Sequence, residues 1–144
     1  RFAPGESAAE VNRVGLEIIV DATALDVEVT GGDRFWGLRS RIEIPTERII
    51  AASVQPTSEA RSDLRIRMAG TAFPGYAAVG YFRGRRARSQ WWRVYRSERV
   101  VVIDLDEFSR FDRIVLQIDP PDDPDLVVAA IDDARAAARQ RAAS

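Results

Sequence analysis

The sequence predicts a mainly β domain, an antiparallel barrel or roll that ends in a single α-helix. Three observations predict it. Apolar and polar residues alternate along most of the chain, as at Leu16, Ile18, Val20 and again at Ile42 and Ile44, which is the period of half-buried strands. Glycine, proline and aspartate break those runs at short intervals. After Pro120 the apolar residues return at helical spacing instead, at Leu126, Val127, Ala130, Ile131, Ala134 and Ala138.

Taken in order, residues 1–13 carry breakers and no period, so they read as a flexible lead-in to one domain over 14–140. Two strands follow, around Leu16 to Val20 and Leu25 to Val29, with Asp21 to Ala24 turning between them. Gly31, Gly32 and Asp33 suit a hairpin turn, and a strand then runs from Phe35 to Ile44, where Pro45 stops it. Ile49 to Val54 is a strand, Gln55 to Ser62 a polar loop, and Leu64, Ile66 and Met68 mark another strand. Ala69 to Tyr76, with Gly70, Pro74 and Gly75, reads as a loop. Ala77 to Phe82 and Gln90 to Tyr95 form the arms of a hairpin whose tip is Gly84 to Arg88, and Val100 to Leu105 pairs with Arg113 to Ile118. Asp122 or Asp123 caps the helix, expected at about 122–140, and Pro124 suits its first position. The expected inward set is Val27, Val29, Ile42, Ile44, Ile103, Leu105, Ile114, Leu116, Leu126 and Ile131.

The composition excludes whole classes of chemistry. At 144 residues, 46% hydrophobic and 30% charged, the chain fits one globular domain and needs no metal or disulfide to hold it. It has no cysteine and no histidine, which removes thiolate chemistry, the usual zinc sites and the commonest general base. It has no lysine either, so Schiff-base chemistry and a phosphate-loop lysine are absent. Carboxylates, hydroxyls, arginines and backbone remain, and they nominate no catalytic pair. No enzyme activity, metal or cofactor is expected.

Charge is segregated although the net is only -1. Arg83 to Arg99 holds seven arginines against one glutamate, whereas Asp104 to the end holds ten acids against five arginines. Arg83, Arg85, Arg86, Arg88, Arg93 and Arg96, interleaved with Trp91, Trp92 and Tyr95, are the candidate anion-binding residues, because guanidinium forks hold phosphate and aromatic rings stack on planar ligands. The bland alternative is a solvated tip whose arginines neutralise neighbouring acids. In a strand, Trp92 and Val94 point one way and Trp91, Arg93 and Tyr95 the other, so one tryptophan belongs to the core. Trp36, Tyr81, Trp91 and Tyr95 are the candidate partner-binding rings, and each has core packing as its plainer role. The stretch Gly70 to Gly75 suits a barrel corner better than an anion nest. The acids Asp104, Asp106, Glu107, Asp112, Asp119, Asp122, Asp123 and Asp125 lack the spacing of a calcium loop and read as turn residues and caps.

Several of these stretches also carry a resemblance. Arg41, Ile42, Glu43, Ile44, Pro45, then Gly70 to Gly75, then Gly80, Tyr81, Phe82, Arg83, and later Val101 to Leu105 and Phe111 to Leu116 before an Asp-Pro-led helix, resemble the bacterial pleckstrin-homology-like proteins of unknown function over about residues 25–135. The resemblance implies a bent antiparallel barrel closed at one end by the C-terminal helix, and it brings no catalytic residue. The basic early loop that binds inositol phosphates in eukaryotic members corresponds to Gly31, Gly32, Asp33, Arg34, with one cation and one anion, so that activity is not carried over.

The reading is therefore an interaction or scaffold module. A protein partner or self-association comes first. An anionic ligand, either an acidic lipid head group at a membrane surface or, less favoured, nucleic acid, is the alternative, and a cryptic carboxylate enzyme comes last. A cytoplasmic location is expected, with a removed signal or anchor upstream of Arg1 left open.

Overall fold

A computed structural model describes residues 9–13, 16–29, 41–73, 77–95 and 97–143. The first sheet is a meander of four strands, β1 (Ala9–Arg13), β2 (Leu16–Val20), β3 (Ala24–Val29) and β4 (Arg41–Pro45), each antiparallel to the next. Register sets Ile18 opposite Val27 and Val27 opposite Ile42, so the apolar positions of three strands share one face and are buried. The predicted turn forms because the Asp21 carboxylate accepts hydrogen bonds from the amides of Thr23 (2.7 Å) and Ala24 (3.0 Å). β1 lies inside the stretch read as a lead-in. The Gly31 to Asp33 turn, Arg34 and Trp36 fall outside the described residues.

The second sheet has six strands: β5 (Ile49–Pro56), β6 (Leu64–Phe73), β7 (Ala77–Gly84), β8 (Ser89–Val94), β9 (Arg99–Leu105) and β10 (Arg113–Leu116), in the order β5-β9-β10-β8-β7-β6. The predicted β7–β8 hairpin and β9–β10 pair are both antiparallel. β10 runs parallel to β8, with Ile114 beside Trp91, which corrects the expectation of a wholly antiparallel barrel. The sheets do not close into one barrel. β6 extends to Phe73 through part of the expected glycine loop, and residues 74–76 lie outside the described set.

Residues expected to loop between β5 and β6 form a six-residue helix, α1 (Thr57–Ser62). This link joins the two edge strands, which in a flat six-stranded sheet would stand about 24 Å apart. The chain from Pro56 to Leu64 spans less than about 20 Å, and it also runs the length of the sheet, from the Arg99 end of β9 to the Gly84 end of β7. The sheet must therefore curl around α1. On that inner face Ala60 packs with Phe82, Trp92, Val94, Val100, Val102 and Val115.

The other face of the curled sheet packs against the first sheet and against the second helix, α2 (Pro124–Ala143). Asp123 caps α2 by accepting from the Asp125 amide at 2.9 Å. Val127, Ile131, Ala134 and Ala138 form its buried stripe. Leu126, placed inward by the sequence, is instead 47% exposed, because the stripe's phase selects its neighbour Val127. The side chain of Val29 is outside the described set, and the other eight expected core residues are buried.

Candidate functional site

One end of the curled sheet gathers the start of β8, the end of β9, the start of β10 and the hairpin tip Gly84 to Arg88. Two carboxylates pin that tip. Asp63, just after α1, accepts from the amides of Arg86 (2.8 Å) and Ala87 (3.2 Å) and from the Gln90 side-chain amide (2.8 Å). Asp112 accepts from the amides of Arg88 (3.0 Å) and Ser89 (3.1 Å). Gly84 sits so close beneath the tip that a Cβ there would meet the Gln90 amide nitrogen, the Ala87 carbonyl at 2.5 Å and Asp63 at 2.6 Å. With the backbone held inward, the side chains of Arg83, Arg85, Arg86 and Arg88 are exposed. Among the described residues none of the four makes an ion pair, since Asp63 and Asp112 are spent on backbone amides and the other nearby acids on other arginines: Asp104 on Arg113 (2.7 Å) and Asp106 on Arg48 (3.6 Å).

Beside the tip lies an open cleft of about 410 Å³ lined by Tyr81, Arg83, Arg88, Ser89, Arg110 and Phe111, with part of Phe82. Strand register explains half of it: Arg83 pairs with Ser89 and Tyr81 with Trp91, so Arg83 and Tyr81 share a face. The turn from Asp106 to Asp112 supplies the rest. Its Asp106 carboxylate accepts from the Phe108 amide (3.0 Å) and the Ser109 hydroxyl (3.2 Å), and the Asp112 amide donates to the Ser89 carbonyl (2.8 Å). Phe111 is thereby stacked on Tyr81 with ring centres 5.4 Å apart, and the Arg110 guanidinium stands 5.8 Å from the Phe111 ring. Arg110 was not singled out by sequence reasoning, because it stands in an acidic stretch outside the arginine cluster and reaches the cleft through the pinned turn. Phe108, on the same turn, is 73% exposed and lies 5.1 Å from the Arg48 guanidinium.

The sequence-based candidates divide. Arg83, Arg85, Arg86 and Arg88 are brought together at the tip, and Tyr81 is half-buried in the adjacent cleft wall. Trp91 is fully buried in the main core and presents no ring to a partner, which removes it from the docking candidates. Arg93 is only 4% exposed, with its guanidinium 5.3 Å from the half-buried Tyr95 ring, so it lies beneath the surface and away from the tip's exposed cluster. Its place within β8, between the two core-facing tryptophan positions and Val94, accounts for that burial. Arg96 and Trp36 lie outside the described residues. Asp125 pairs with Arg99 at 3.0 Å, and Asp119 accepts from the Gln117 amide. Among the described residues no three carboxylates gather as a metal site would require.

No family model, curated protein or solved structure matches the chain. Among the described residues no helix is long and apolar enough to cross a membrane.

Proposed function

We propose that this chain is a non-catalytic binding module whose ligand is an anion, held at the arginine-bearing end of the six-stranded sheet. The observation that carries the reading is the arrangement at the tip. Four guanidinium groups are exposed on a backbone pinned by Asp63 and Asp112, and none of them has a carboxylate partner among the described residues. Like charges held together repel, and an anion relieves that repulsion while accepting paired N–H donors from each fork. The preorganised backbone lowers the ordering cost of binding. Docking of a protein, the first choice from sequence, loses Trp91 to the core and keeps one supporting feature, the exposed Phe108 ring beside Arg48. The pleckstrin-homology-like kinship is part of the same proposal. Two sheets and a C-terminal helix support it, and the parallel β8–β10 pair departs from its antiparallel pattern.

The test is a titration of the protein with inorganic phosphate, followed by backbone amide NMR at low and at moderate salt. Shifts should concentrate at Arg83 to Ser89 and at Arg110, weaken with salt, and fall at least several-fold in affinity in Arg88→Gln. Absence of phosphate binding at low salt overturns the proposal.

A further inference from the structure

We infer that the anion carries a planar aromatic ring, making the ligand class an aromatic phosphate monoester whose ring rests on Tyr81. This inference builds on the anion-binding reading above. Arginine alone would suit any phosphate. The cleft differs from the tip in having an aromatic wall: Tyr81, backed by Phe111 at 5.4 Å and held in place by that stack, is the half-buried ring that reaches the opening. Arg83, Arg88 and Arg110 stand around the opening, so a ring seated against Tyr81 carries its phosphate among guanidinium donors. The size agrees, since about 410 Å³ lies within the roughly 300–1,000 Å³ of small-molecule sites. Asp112, next to Phe111 in the chain, is already met by the amides of Arg88 and Ser89.

A polymer with many stacked bases fits less well. Successive bases need successive exposed rings. Here Trp91 and Trp92 are fully buried, and Phe108 is the aromatic ring among the described side chains that stands largely in solvent. The geometry thus favours one ring and one phosphate group.

Three probes decide the matter: phenyl phosphate, methyl phosphate and inorganic phosphate, each titrated by NMR against the unaltered protein, Tyr81→Leu and Tyr81→Phe. Phenyl phosphate should bind up to roughly tenfold more tightly than methyl phosphate, the increment of one aromatic stack. That preference should vanish in Tyr81→Leu and persist in Tyr81→Phe. Saturation transfer from the Tyr81 and Phe111 ring protons to the phenyl ring, measured in the unaltered protein, gives the same decision if Tyr81→Leu does not fold. Equal affinity for phenyl and methyl phosphate, or a phenyl preference with no transfer from Tyr81, overturns the inference while leaving the anion-binding reading standing. Failure of all three probes to bind overturns both.

Discussion

Asp63 joins more of the site than any other single residue. Its carboxylate serves the tip amides, the buried Gln90 amide and, at 3.8 Å, the Arg113 guanidinium, and Gln90 in turn accepts from the Trp92 indole at 2.8 Å. Asp63→Ala leaves the fully buried Gln90 amide with the Ala87 carbonyl as its remaining acceptor and two tip amides without theirs, a loss of about 2 kcal/mol by the cost of unmet polar groups. The expected outcome is a lower urea midpoint with an unchanged m-value. Gly84→Ala should cost about 1–3 kcal/mol for a different reason, because the new methyl group displaces Gln90 and the Ala87 carbonyl. Thermal unfolding of the two variants measures both losses. The tip glycine was legible in the sequence as a turn residue, but its tight contact with Gln90 and Asp63 was not. Asp63 itself gave no signal, since its hydrogen-bond partners lie 23 to 27 positions along the chain and Arg113 further still.

Elements with a clear local period were legible: the β2–β3 and β7–β8 hairpins, the β9–β10 pair and α2 all lie close to where alternation or helical spacing placed them. α1 was missed because six residues cover under two turns, too few for a period to show. The parallel β8–β10 pairing was hidden too, as it joins strands that are not consecutive and leaves no local mark. At this scale the edge strand β5 makes a testable case. Arg135 of α2 donates to the carbonyls of Ile49 (3.2 Å) and Ile50, occupying acceptors that an edge strand would otherwise offer to another chain. Arg135→Ala should uncover that edge next to the exposed Ile50, and light scattering should show concentration-dependent self-association beyond that of the unaltered protein at the same concentration. Ile131→Ala, in the buried stripe of the same helix, should cost about 3 kcal/mol without promoting association.

For the molecule as a whole, the alternating pattern led to a single barrel, and two sheets were found. The discrepancy has a physical source. The run Val100 to Ile103 is buried throughout because β9 has apolar neighbours on both faces, and alternation along a strand cannot tell a sheet covered on two sides from a wall closed on itself. Charge segregation was legible as a count along the chain, but its use was not: Asp63, Asp104, Asp106 and Asp112 share an end of the sheet with the arginines and still leave the tip guanidiniums unpaired. Binding of a small anion by that end is predicted to weaken as salt rises, through screening of exposed charges. The unfolding midpoint should respond much less, because the two core clusters are apolar; parallel titrations at two salt concentrations separate the two responses.

The position of β9 and β10 at the centre of the six-stranded sheet has a consequence for biosynthesis. Both are made after β5 to β8, yet they join β5 on one side to β8 on the other. Until Leu116 has emerged, β5 and the β6–β7–β8 meander share no hydrogen-bonded neighbour, and each shows an open edge to solvent or to other nascent chains. The interval between the making of Val94 and Leu116 is therefore the period in which this chain most needs protection, and a translational pause placed there would raise the yield of aggregate rather than of folded protein.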